Sequence, residues 1–442
     1  IDQARAAAYD NYNISAQAFG TEIVLQPNDH YAGYVNLDLT NDNRAIVGAH
    51  NREPSDGLYD PSFYYDFAEG ASFFGAVLAV PRNVAEYAGA VGQTVIWPKF
   101  AYSEGTNDTV LHVVAQVSNP DAGDPQPIYY FRRPGSDNNI AVNWDNPPKV
   151  IDTIFDLSHA VDATDDGMVA LAWTANIPCA YSDPDTASCN AGVAPAQWNN
   201  DVYYQISKDY GVTWQPRVNL TKNKEYEYPA GSKYGQASYR PYTDLGILID
   251  LAGNLHIVWG AAYWEEDGTI NFRNRIFHWS ENQPYLRVAA AADWDQTTCN
   301  SGAWNLNMSK MTVSECNGRL YTLFAMFNDG KAGVFDDCAD ETNPGYPSGA
   351  ANGELYVVVS EDGGLTWDQA RNLTNSRTPG CDSVGGTGGP CESDHWPTMA
   401  RFGTNVALAP GDNVTDVVVP AGGSDNGWFL DVQYINDHSA GG

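Results

Sequence analysis

Two eight-residue strings restrict what this chain can fold into more than any other feature. Ser207-Lys208-Asp209-Tyr210-Gly211-Val212-Thr213-Trp214 and Ser360-Glu361-Asp362-Gly363-Gly364-Leu365-Thr366-Trp367 both read S-x-D-x-G-x-T-W. Each follows an alternating apolar run, 202–206 or 355–359, and each leads into an Arg…Asn-Leu-Thr segment. In such a string the Asp accepts backbone N–H bonds across a tight hairpin, and the Gly supplies a φ > 0 that other residues resist. The Trp is large enough to fill the gap between two sheets. Short Val, Ile, Tyr and Trp runs separated by turn residues make up most of the remaining chain, and helical periodicity is confined to the Ala-rich start. These signals predict an all-β fold built from a repeated unit.

The motif resembles the Asp box of the sialidase-like (BNR-repeat) β-propellers. The resemblance implies that Ser207, Asp209, Gly211 and Trp214, like Ser360, Asp362, Gly364 and Trp367, are structural and lie away from an active face. Neither Asp209 nor Asp362 is then expected to be catalytic, and both indoles are expected to be mostly buried between blades.

A second pattern counts the blades: a strand, an Asp/Asn/Gly turn, and an apolar strand ending in a small residue. It occurs over 35–49, 99–115, 160–173, 243–259, 308–325 and 398–420. Six copies predict a six-bladed propeller over 21–437, with seven or five blades as alternatives. An N-terminal segment, 1–20, precedes it, and a stub, 438–442, reads as a linker towards a further domain. The run 21–26 is the candidate outer strand that closes the ring and so removes an exposed sheet edge.

Composition narrows the setting. With 23 basic and 55 acidic side chains the net charge is −32, which repels nucleic acid and anionic lipid. No apolar run approaches the roughly 20 residues that span a bilayer. Seven cysteines without a CxxC pair argue against structural zinc. Cys179 with Cys189, and Cys381 with Cys391, bracket short loops and are expected to form local disulfides, leaving one of Cys299, Cys316 and Cys338 unpaired. Stapled loops and an Ile1-Asp2-Gln3 start that looks processed favour a secreted or cell-surface protein.

In a propeller, the connectors into each innermost strand share one face with the loops after each second strand. The long irregular segments here, 50–61, 118–127, 176–197, 261–269, 328–352 and 422–427, fall on that face, where function usually resides. Its connectors carry Trp97-Pro98, Arg240-Pro241 and His395-Trp396-Pro397, and Arg52 lies nearby. Trp97, Arg240, His395, Trp396 and Arg52 are therefore the candidate ligand-binding residues, the tryptophans as platforms for sugar rings.

The enzymes of the family clamp a substrate carboxylate with three arginines and use a Tyr–Glu nucleophile with an Asp acid/base. The Arg-Ile-Pro segment that opens their first blade is missing; Arg132-Arg133-Pro134 is the nearest string and falls in another blade. The acidic mouth also repels an anionic ligand, so the ligand is expected not to be a sialoside. The leading expectation is a non-enzymatic module that binds glycan, an extracellular protein or its own copies. One alternative is a glycoside hydrolase or polysaccharide lyase acting on a non-sialic glycan, with Tyr65, Asp66, Glu265 and Glu266 as candidates. The other is a calcium-dependent adhesion module with ligands from Asp162, Asp165 and Asp166, or from Asp336 and Asp337. Asn219 and Asn372 fit the glycosylation sequon, yet their matching places after the two motifs read as strand positions.

Overall fold

The computed structural model describes all residues except 1–6, 10–11, 14–17, 21–22, 26–30, 53–56, 72, 75–77, 81–93, 106–108, 119–125, 136–143, 146, 177–199, 222–238, 265–269, 294–298, 300, 303, 328–336, 340–349, 382–388, 406–427 and 439–442. No helix occurs among the described residues. β1 to β4 (Ala8–Tyr9, Tyr12–Asn13, Ala18–Phe19, Ile23–Val24) make two short ribbons, β1 with β4 and β2 with β3.

Five four-stranded sheets follow, each an antiparallel meander in chain order. They are β5–β8 (Tyr31–Leu39, Ala45–Arg52, Tyr59–Tyr65, Leu78–Ala79), β9–β12 (Thr94–Glu104, Thr109–Ser118, Gln126–Pro134, Lys149–Ile154) and β13–β16 (His159–Ala163, Val169–Asn176, Asn200–Ser207, Val218–Asn219). The other two are β17–β20 (Tyr239–Ile249, Leu255–Trp264, Ile270–Ser280, Gln283–Ala292) and β21–β24 (Met308–Cys316, Arg319–Phe327, Gly353–Ser360, Arg371–Asn372). The chain is an all-β propeller with five complete four-stranded blades among the described residues, against the six expected. Of the sixth copy the structure describes β25 (Ser393–Met399) paired with β28 (Val432–Asp437), and β26 (Thr404–Asn405) paired with β27 (Trp428–Phe429). The expected closing strand does not reach this sheet within the described residues: Ile23 and Val24 pair with Tyr9 and Ala8 instead.

The chain divides into two compact units, 1–175 with 203–219, and 176–202 with 220–442. In the first, β5, β9 and β13, the leading strands of successive sheets, lie side by side; in the second, β17, β21 and β25 do. Side chains from the second and third strands of the sheets, Ile46, Phe63, Leu111, Val113 and Phe131, build the core in the first unit. Leu248, Val258, Ile276, Met308 and Phe324 build that of the second.

The hairpin turns after the leading strands are joined by side chains from the following sheet. The Asn41 N–H donates to Glu104 Oε2 (2.8 Å) and the Glu104 N–H to Asp165 Oδ1 (2.7 Å), while Asn41 Nδ2 reaches Asp165 Oδ2 (3.2 Å). In the second unit the Leu251 N–H donates to Glu315 Oε2 (2.8 Å). These acidic turns therefore cap one another's exposed backbone donors.

The two S-x-D-x-G-x-T-W strings form the same hairpin. Ser207 Oγ donates to Asp209 Oδ1 (2.7 Å) and accepts the Gly211 N–H (2.9 Å), and Asp209 takes the Thr213 N–H (2.8 Å). Ser360, Asp362, Gly364 and Thr366 repeat this at 2.8, 2.7 and 2.9 Å. Hydrogen bonds from Thr213 hold the Asp209 carboxyl below its ordinary range. The glycines are required twice over, by φ of 80° and 92° and by a ring from the preceding sheet. A Cβ on Gly211 would overlap the Tyr130 hydroxyl, and one on Gly364 the His278 ring.

Each of those rings ends a buried relay. Tyr130 Oη meets His112 Nδ1 (2.7 Å), whose Nε2 meets Ser103 Oγ (2.9 Å). His278 Nε2 meets His256 Nδ1 (3.0 Å), whose Nε2 meets Asp250 Oδ2 (3.1 Å). Trp214 and Trp367 stand edge-on to Tyr130 and His278, at 4.9 and 5.3 Å. Both indoles are mostly buried, as expected, and pack against the core clusters of their sheets.

Cys381–Cys391 is bridged as expected, Cys299 pairs with Cys338, and Cys316 is buried and takes part in no disulfide among the described residues. Cys179 and Cys189 lie outside the described residues. Asn219 and Asn372 are strand residues, and Asn372 Nδ2 is bonded to Glu354 and Tyr356.

Candidate functional site

Five leading strands break register near their start. The shifts fall between Gly33 and Asn36, at Val114/Gln116 opposite β9, between Pro241 and Leu245, between Ser309 and Thr312, and between His395 and Thr398. Each break places one non-glycine residue at positive φ: Tyr34 (53°), Trp97 (53°), Thr243 (51°), Lys310 (56°) and Trp396 (53°). Bulky and β-branched side chains resist this region, at a cost of about 1–3 kcal/mol each, and such strain concentrates where a site must be pre-shaped. All five sit at the connector end of their strands, opposite the hairpin turns, where the sequence placed the candidate site.

In the first unit, the rings of Tyr34 and Trp97 meet edge-on at 5.8 Å. His50 packs on Tyr34 (5.5 Å) and on Tyr59 (5.2 Å), and its Nδ1 accepts the Trp97 N–H at 3.2 Å. His159 Nε2 donates to the Trp97 carbonyl at 2.8 Å. Burial pushes both histidines down to about 4, so both are neutral at pH 7. His159 Nδ1, Gln116 Oε1 and Ser158 Oγ are buried without a hydrogen-bond partner, which leaves acceptors at the same end of the sheets.

In the second unit the bulges also touch. Thr243 Oγ1 donates to the carbonyl of Trp304, itself at φ 66°, and Trp304 stacks on Tyr242. Asp244 Oδ1 lies 3.2 Å from Lys310 Nζ, and its Oδ2 accepts the Lys310 N–H at 3.1 Å. The Lys310 ammonium stands 4.5 Å over the Trp396 ring, which remains 39% exposed, and His395 leans on Trp396 at 6.5 Å. The result is a continuous chain of strained residues, Trp304, Thr243, Lys310 and Trp396, with one carboxylate–ammonium pair at its centre.

The structure thus puts Trp97 in one cluster, and His395 and Trp396 in the other. Arg240 lies at the start of β17, as expected, but ahead of its register break. It pairs across the sheet with Ala262, three residues before the bulge, and Thr243 rather than Arg240 is the counterpart of Trp97. Arg52 lies at the exposed end of β6, its Nε on the Gly57 carbonyl (3.2 Å). The acid and nucleophile candidates fall elsewhere. Tyr65 is packed in the core against Tyr102, and Asp66 caps the Phe73 N–H (3.0 Å) at the far end of β7 from the Tyr59 cluster. Glu265 and Glu266 lie outside the described residues.

Among the metal candidates, Asp162 accepts the Ala163 N–H, Asp165 caps the turns described above, and Asp166 takes the Thr164 hydroxyl. Asp337 binds Asn352 Nδ2 and the Thr378 N–H, and Asp336 lies outside the described residues. Among the described residues, no three His, Cys, Asp or Glu side chains converge as metal ligands.

Tyr34, His50, His159, Thr243, Asp244 and Lys310 escaped the sequence reading. Only their shared position, at the open end of each repeated hairpin, could have pointed to them.

No family model and no curated relative matches the chain. Among solved structures it is similar to a Penicillium chrysogenum alpha-L-arabinanase, with 11% identity over 93% of this chain and 95% of that one at a TM-score of 0.41. It is also similar to Trypanosoma rangeli sialidase, with 11% identity over 90% of this chain and 54% of that one at 0.40. A Xanthomonas citri GH43_1 enzyme matches with 14% identity over 67% and 82% at 0.36. The chain spans about half the length of the sialidase. Its own succession of four-stranded antiparallel sheets makes it an all-β propeller.

Proposed function

We propose that this chain is an exported Asp-box propeller that binds a neutral glycan at the connector ends of its leading strands and does not cleave it. The observation that carries the reading is the set of five strained bulges, which present Tyr34 and Trp97 in one unit and Thr243, Lys310 and Trp396 in the other. An aromatic platform beside a polar pair suits a sugar, whose apolar ring face stacks while its hydroxyls exchange hydrogen bonds. Two disulfides fit an oxidising compartment. We read β25–β28 as part of a sixth blade.

The test is a glycan array probed with the purified protein. Trp97→Ala and Trp396→Ala should each weaken binding at least about tenfold, as expected when a principal contact worth ~1.4 kcal/mol is lost. Binding that survives the loss of Trp97, Arg240 and Trp396 together would refute this placement.

A second reading, hydrolysis of such a glycan, draws on Asp60, a carboxylate 4% exposed at the start of β7, beside Tyr59 of the His50 cluster. Release of product from a neutral oligosaccharide panel, lost in Asp60→Asn, would establish it.

A further inference from the structure

We propose that Asp244 sets the specificity of the second-unit cluster: by neutralising Lys310 it excludes acidic sugars and leaves the Trp396 platform to uncharged ones. The inference rests on the glycan-binding reading.

Lys310 is unusual on three counts. It sits at φ 56° in a bulge, its side chain is only 8% exposed, and its ammonium lies against an exposed tryptophan. A methionine in its place would cover Trp396 without the desolvation cost, and buried ion pairs are seldom kept for stability, since apolar replacements are often as stable. The pair therefore points to recognition.

Asp244 holds Lys310 at both ends, Oδ1 on Nζ at 3.2 Å and Oδ2 on the backbone N–H at 3.1 Å. The Thr243 hydroxyl gives its one proton to the Trp304 carbonyl at 2.9 Å, so Lys310 is the donor that holds Asp244. That leaves Nζ with donors, and the carboxylate with a lone pair, to offer to hydroxyl groups. A glycan carboxylate brought to Nζ would also meet Asp244, and the attraction and repulsion nearly cancel. At 0.15 M salt, charges beyond about 8 Å are screened, so this contact pair outweighs the remote surface.

The experiment measures binding of neutral oligosaccharides and of the same oligosaccharides oxidised to uronates, in 0.15 M NaCl. It compares the wild type with Asp244→Asn, Lys310→Met and Trp396→Ala. Asp244→Asn should raise the uronate-to-neutral affinity ratio at least tenfold, an increase that high salt removes. Lys310→Met, which leaves Asp244 unneutralised, should lower the ratio. Trp396→Ala should weaken both ligands and leave the ratio unchanged.

An unchanged ratio in Asp244→Asn overturns the inference while the glycan reading stands. If that variant does not fold, an unchanged ratio in Lys310→Met overturns it equally. If the wild type binds no glycan of either kind, the reading and the inference fall together.

Discussion

His50 and His159 grip the two sides of a single residue: one accepts the Trp97 N–H, the other donates to its carbonyl. The first comes from β6 and the second from β13, so two sheets fix the strained residue of the sheet between them. Such a clamp needs a neutral His50, because a protonated ring loses the Nδ1 acceptor.

Stability should therefore fall in mild acid. Both histidines titrate near 4 in the fold and near 6.5 when unfolded, and burial holds His112 and His278 down to about 3. Above pH 6.5 the folded and unfolded chains are alike unprotonated at these sites, and the full stability is present. As pH drops from 6.5 towards 4, the unfolded chain takes up protons that the fold refuses. Each histidine then costs up to roughly 3 kcal/mol before the loss levels off. Unfolding midpoints measured from pH 7.5 to 4 should decline across this window, and His159→Phe should flatten the decline. A constant midpoint down to pH 4.5 would contradict the buried neutral rings.

The motif glycines should tolerate no side chain. Gly211→Ala and Gly364→Ala each combine a positive φ with an overlap on a buried ring, for a loss of roughly 2–4 kcal/mol. Trp367→Ala removes a mostly buried indole and should cost about 2–3 kcal/mol, below the 3–5 typical of a fully buried one. Denaturant midpoints measure all three, and Gly318→Ala, where a Cβ meets nothing within 4 Å, gives the strain of φ alone.

Asp165→Ala should cost about 1 kcal/mol, because an exposed carboxylate that caps two neighbouring turns is lost. The shift in Tm should be equal with and without calcium. A larger shift in calcium would show a metal role for this turn.

Peptide mapping without reduction should recover Cys381 with Cys391 and Cys299 with Cys338. Cys316 should react with a thiol reagent only after unfolding, being buried beneath the Phe429 carbonyl and Gly403. Opening the two bridges should destabilise the fold by about 2–4 kcal/mol each.

How much the sequence disclosed varied with the range of the interactions involved. Ser207 to Trp214 was legible because its hydrogen bonds close within eight residues. Trp97 and Trp396 were legible because each precedes a proline at the head of a repeat. Thr243 and Lys310 were hidden, since nothing local marks a threonine or lysine for positive φ; that conformation is imposed by the neighbouring strand. Arg240-Pro241 mimicked the Trp-Pro signal and pointed three residues short. The Tyr65–Asp66 pair looked chemical in sequence, but β7 is buried on both faces, which puts Tyr65 in the core, and Asp66 follows the end of the strand.

The caps between hairpin turns give the fold a direction in time. Asn41 waits for Glu104, 63 residues later; Glu104 waits for Asp165, 61 later; and Leu251 waits for Glu315, 64 later. On a chain emerging from the ribosome, each turn donor is left to water until the following sheet has been synthesised. Sheets therefore mature one step behind translation, and a truncated chain ends on an unfinished blade.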